Sequence, residues 1–131
     1  MSGWNDDRPM SPHLQVWRWH PTMLASTLHR LTGIALFGGL VLTAAWIGAL
    51  GLGPEAYGFV EGVIQSPLGL VVKIAFTIAV LFHLTNGVRF LLWDGPGVGF
   101  DPEVASRVSL LNIGIALVGA AALWAAILLT A

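Results

Sequence analysis

The chain has 131 residues, 56% of them hydrophobic and only 10% charged, with a formal net charge of −1 and no cysteine. Soluble domains carry about 25% charged residues, so a water-soluble globule is excluded; without thiols, so are disulfides, thiolate-held iron–sulfur clusters and covalently attached haem. The scattered bases leave no footprint for nucleic acid, which is not expected as a partner. An all-α membrane protein remains. Backbone amides in hydrocarbon must bond within their own segment, and no stretch alternates as barrel strands do.

Residues 1–22 read as a cytoplasmic leader. "MSGWNDDRPMSPHLQ" lacks the basic start and short apolar core of a secretory signal, and the Arg- and Ser-rich amphipathic character of an organelle presequence. The expectation is a multi-pass protein of the bacterial inner membrane, inserted by its own first span. Residues 23–131 then form one domain of three transmembrane helices, with spans at about 25–51, 67–93 and 106–130, each near the roughly twenty residues that cross a hydrocarbon core. Leu31–Leu52 carries no charge at all. Before it, Trp19, Met23, Ser26 and Arg30 step by three or four, so a continuous helix brings them onto one face, and Pro21 suits a first turn.

Gly53–Ser66 is a connection punctuated by "GLGPEAYG", expected to form turns. The second span holds Lys73 near one end and His83 and Arg89 toward the other. "GPGVG" follows a helix and lacks the Lys-Ser/Thr of a phosphate loop, so it reads as a plain loop. Asp101-Pro102-Glu103 has the form of a helix start: an N-cap, a first-turn proline and an early acid. Arg8, Arg18, Arg30, Arg89 and Arg107 flank one side of the spans and only Lys73 the other. That bias places the N-terminus in the cytoplasm and the C-terminus in the periplasm.

Ionisable groups at membrane depth cost kilocalories to insert, so each is a functional hypothesis to be weighed against helix-packing glue. His83 is the deepest, about 15 Å from the cytoplasmic end of its span. A neutral imidazole there suits haem iron, and Gly87, four residues on, leaves room on the same face; a packing histidine is the other reading. The stripe on the first span offers an apolar plate, a thioether, a hydroxyl and a fixed cation. Such a set suits a flat two-carbonyl ring that becomes anionic on reduction. Arg30 as a topology anchor snorkelling to headgroups is the alternative.

"RPMSPHLQVWRW", "SxxHRxTG" at Ser26–Gly33, and "HxxxGxR" at His83–Arg89 followed by "LLWDG" together resemble the cytochrome b membrane-anchor subunit of succinate dehydrogenase, respiratory Complex II, over nearly the full length. The resemblance implies haem b with His83 as an axial ligand and metal contact, and His29 near a haem propionate that Arg30 also reaches. It implies a ubiquinone site at Ser26 and Arg30, with Trp19, Met23 and Thr27 as neighbours. Some members carry a second histidine where Phe90 stands here. Phe90 cannot bond a carboxylate, which leaves Arg89 as a substitute.

A six-coordinate haem needs two axial ligands and this chain has one histidine at the right depth, so the second is expected from another membrane subunit. The partners implied are that second transmembrane anchor, an iron–sulfur subunit, a flavoprotein subunit and membrane lipid; the chain is not expected to catalyse alone. The alternatives are a catalytically silent tether and the anchor of a fumarate reductase. A small transporter fits less well, because the third span has only Ser109 and Asn112, near one end, rather than a polar pore-lining face.

Overall fold

The computed structural model describes residues 19–130; Arg8, His13, Arg18 and the rest of the leader through residue 18 lie outside the described residues. Four helices follow in order: α1 (Pro21–Leu52), α2 (Pro54–Gln65), α3 (Pro67–Asp94) and α4 (Pro102–Thr130). Three of them, α1, α3 and α4, are long and apolar enough to cross a membrane, at 32, 28 and 29 residues. At 1.5 Å per residue each is roughly 42–48 Å long, more than the hydrocarbon thickness, so their ends reach the headgroup layers.

Every helix opens on a proline, whose missing N–H falls where a helix start has no acceptor to offer. Asp101 caps α4 as its sequence suggests: Oδ1 accepts from the N–H groups of Glu103 at 3.0 Å and Val104 at 3.2 Å. Ser66 does the same for α3, its Oγ accepting from Gly69 N–H at 3.1 Å. "GPGVG" is a loop, with Gly97 at φ 68° and Gly99 at φ 90°, backbone conformations that side chains resist. Phe100 stacks on Trp93 at 5.3 Å and Trp93 Nε1 donates to Gly99 O at 3.1 Å, which folds that loop back over the end of α3.

The Gly53–Ser66 connection corrects the sequence expectation. Apart from its two ends it is not a string of turns but the 12-residue helix α2. Gly53, at φ 109°, ends α1 and turns the chain, and Pro54 starts the next helix. Tyr57, Val60, Glu61 and Ile64 then recur at helical spacing on the half-buried face, with Glu55 on the opposite one, a short amphipathic pattern that the glycines and proline obscure. Glu61 anchors it: its carboxylate accepts from Gln65 Nε2 at 2.9 Å and from Trp46 Nε1 of α1 at 3.3 Å. The Gln65 bond, helped by Trp46, Tyr57 and the charge of Lys73, holds the Glu61 carboxyl below its ordinary value against an opposing push from desolvation.

Packing between the spans relies on small and polar side chains. Ala79, Phe82, Asn86 and Arg89 are buried on α3, and Ala105, Ser109, Asn112, Ala116 and Ala120 on α4. Ala25 of α1, Phe82 and Ala116 form the apolar centre, with Leu28, Leu81 and Ile113 against it. The larger aliphatic and aromatic side chains mostly face outward, Ile34, Phe37 and Val118 among them. Hydrocarbon is as apolar as leucine, so there is little drive to hide them and close approach matters more.

The corner between α2 and α3 is tight. A Cβ at Gly69 would lie 2.6 Å from Val63 O and closer still to Ile64 O, both backbone atoms. Gly69→Ala is therefore expected to lower the thermal midpoint of the purified complex by an overpacking cost of about 1–3 kcal/mol. Gly62→Ala on α2, where a Cβ meets nothing within 4 Å, leaves the midpoint in place; equal midpoints for the two variants refute the corner as drawn.

Candidate functional site

The N-terminal part of α1 and the C-terminal part of α3 lie at the same end of the antiparallel bundle, and their two histidines meet there. The His29 and His83 rings stack with centroids 3.9 Å apart and planes 9° from parallel. Phe90 closes edge-on against His29 at 5.0 Å. Thr32 Oγ1 stands 3.2 Å from His83 Nδ1, while His29 Nε2 is buried without a hydrogen-bond partner.

Gly33 makes this approach geometrically allowed, and Gly87 borders it with room for a Cβ at ordinary contact distance. A Cβ at Gly33 would come within 3.3 Å of His83 Cε1, and one at Gly87 within 3.7 Å of His29 Nε2. The space that Gly87 leaves beside its helix is thus faced by the His29 ring. Phe90, one heptad beyond His83, shares that side of α3 as the spacing suggests.

Arg89 stands apart from the imidazole pair. It is 5% exposed, its Nη1 donates to Asn86 Oδ1 at 3.2 Å, and its guanidinium carbon lies 4.1 Å from the centroid of Trp93. The Nε and Nη2 groups of Arg89, with the side-chain nitrogens of Asn86 and Asn112, are buried without acceptors. Cation–π contact with Trp93 supplies part of what water would.

The other sequence-marked residues occupy the neighbouring surface of α1. Ser26 is half-buried, and its hydroxyl makes no hydrogen bond among the described residues. Arg30 is exposed and forms no ion pair among the described residues. Thr27 Oγ1 is committed to Met23 O at 3.0 Å, and Met23 is exposed. Trp19 lies just ahead of the first turn of α1 rather than within it, joined to the helix through the extended His20. His29 and Arg30 diverge as adjacent helical residues must: one turns into the α1–α3 contact, the other outward.

Thr32 and Gly33, the last two letters of the "SxxHRxTG" motif, complete the site; the motif marks them but gives neither a role, since 51 residues separate Thr32 from the ring it meets. At the opposite end of the bundle an apolar pocket of about 470 Å³ opens among α1, α2 and α3, lined by residues including Trp46, Phe59, Val63, Val72 and Phe76, with Lys73 among its lining. Among the described residues no three or more of His, Cys, Asp and Glu gather as a metal-binding group.

Three apolar spans with one polar centre clasped between the first two define an integral membrane protein. Residues 5–127 match the family model described as succinate dehydrogenase/fumarate reductase transmembrane subunit, and the chain belongs to that family. It is 37% identical over 103 residues to the succinate dehydrogenase cytochrome b556 subunit of Paracoccus denitrificans, covering 79% of this chain and 78% of the relative. Similarity extends to the mitochondrial cytochrome b560 subunit of Mus musculus, at 33% identity over 85% of this chain and 68% of that one. The cytochrome b556 subunit of Rickettsia felis is 36% identical over 72% of each chain.

Proposed function

We propose that this chain is the membrane-anchor cytochrome b subunit of a succinate:ubiquinone oxidoreductase of the bacterial inner membrane, with its leader, residues 1–22, on the cytoplasmic side. The observation that carries this reading is the imidazole pair, His29 against His83, half-buried between two spans and framed by Gly33 and Gly87. Haem b asks for a neutral imidazole toward its iron and for donors toward its carboxylates, and the residues fit both demands. His83 is the ligand, and the unpartnered Nε2 of His29 is a donor in waiting for a propionate, within reach of Arg30 from the same turn. When bound, haem b supplies a one-electron store beside the quinone. Arg89, held by Trp93 and with Nη1 on Asn86, keeps Nε and Nη2 without acceptors, donors that a propionate would satisfy.

Ubiquinone is proposed to lie against the outward face of α1. Ser26 donates to one carbonyl oxygen, and Arg30 stabilises the negative charge that gathers on the ring oxygens as electrons arrive; Trp19, Met23 and Thr27 flank them. A hydroxyl without a hydrogen-bond partner and a cation without an ion pair among the described residues support this assignment, since both are ready for an external acceptor. The second axial ligand comes from another membrane subunit. Flavin and iron–sulfur chemistry belong to further partners, because a chain without cysteine has no thiolates for a cluster.

The purified membrane complex is expected to show a reduced-minus-oxidised Soret band of a low-spin haem, and a colourless complex overturns the haem assignment. Ser26→Ala is expected to raise the KM for ubiquinone about tenfold, the loss of one hydrogen bond of about 1–1.5 kcal/mol, with succinate oxidation by an artificial dye unchanged. Unchanged quinone kinetics leave a silent tether as the better account. The fumarate reductase alternative draws on the breadth of the family description; the relative rates of succinate oxidation and fumarate reduction decide between them.

A further inference from the structure

Thr32 sits half-buried on α1, with its hydroxyl oxygen 2.8 Å from Leu28 O and 3.0 Å from His29 O. A hydroxyl has one proton, and both of these carbonyls call for it, as threonines inside helices commonly allow. The lone pairs that remain face His83 Nδ1 at 3.2 Å. Two lone pairs cannot share that contact, so Nδ1 carries the hydrogen and donates it to Thr32. The reverse arrangement would give up two shorter bonds for a longer one. It would also move the ring proton to Nε2 and leave that nitrogen unable to bind a metal.

We propose that Thr32 is a positioning residue for His83: its committed hydroxyl fixes the imidazole as the Nδ1–H tautomer, aims the Nε2 lone pair outward, and strengthens it as a donor to haem iron. The proposal rests on His83 as the haem ligand. A hydrogen bond from the distal ring nitrogen makes the ligating one more basic, which favours the ferric over the ferrous haem. Gly33 belongs to the same device, since a Cβ there would already crowd His83 Cε1 at 3.3 Å and push the ring off the hydroxyl.

The test is a redox titration of haem b in the intact purified complex carrying Thr32→Val, which keeps the shape and removes the hydroxyl, beside Thr32→Ser, which restores it. Thr32→Val is expected to shift the one-electron equilibrium toward ferrous haem by about five- to tenfold, ~40–60 mV at 59 mV per decade. Thr32→Ser stays within about twofold of wild type. If Val and Ser behave alike, whether both shifted or both unshifted, packing alone is at work and the proposal fails. Should the Val complex not assemble, electron–nuclear double resonance on the wild-type ferric complex with 15N-labelled histidine decides. After exchange into deuterated water, an Nδ1 deuteron of the His83 ring with the reduced quadrupole coupling of a hydrogen-bonded N–H sustains the proposal, and the larger coupling of a free N–H overturns it. His83→Leu separates the two layers: full haem content in that variant refutes the ligand assignment itself, whereas haem loss there with no effect at Thr32→Val refutes only the positioning role.

Discussion

The complex carrying His83→Leu is expected to assemble in the membrane with its haem content reduced to a tenth or less, since removing even an outer support of a metal ligand costs on the order of 10–100-fold in affinity. Leucine fills the volume and stays apolar, so the α1–α3 contact survives while the ligand is gone. The measurement is haem per complex by pyridine haemochrome, with copurification of the soluble subunits as the check on assembly. His29→Leu provides the contrast. It removes the proposed propionate donor, not the ligand, and is expected to retain haem at reduced affinity. If His29→Leu loses haem completely while His83→Leu keeps it, the roles of the two stacked rings are exchanged.

Arg30→Gln is expected to cut ubiquinone reductase activity on the order of a hundredfold, the scale on which one electrostatic partner of a developing anion acts in a water-poor site. Dye-linked succinate oxidation, which bypasses the quinone, stays near wild type. Arg30→Lys keeps the charge but not the planar fork of donors and falls between the two. Equal losses in the quinone and dye assays would mean that Arg30 serves assembly, as a headgroup anchor at the entrance of α1 would.

The three spans and the start of α4 were legible because their signals are local. A run of about twenty uncharged residues declares a span, and Asp101-Pro102-Glu103 declares a start, with no help from distant residues. Helix α2 was hidden because Gly53, Pro54 and the glycines at 58 and 62 speak for turns, while the contacts that settle it come from Trp46 and Lys73 on other helices. Each polar residue of the site could be marked by depth and motif, yet depth says nothing of direction around a helix. The stacking of His29 on His83, the bond to Thr32 and the rotation of Arg89 toward Trp93 all depend on how α1 and α4 seat against α3. Such orientation is tertiary information.

The distribution of large residues outside and small ones within inverts the usual rule of mutational tolerance. In a water-soluble protein an interior leucine is the fragile position and a surface glycine the forgiving one. Here an outward-facing side chain such as Ile34, Phe37 or Val118 can be exchanged for another apolar one with little loss to the packing within the bundle. A single added methyl at Gly69 runs into the backbone carbonyls of Val63 and Ile64, and one at Gly39 must displace the Phe76 ring. Sequence drift is thus free to rewrite the outer coat of this subunit wherever neither quinone nor a partner lies against it, while a thin inner line of alanine, glycine and serine holds the helices in register.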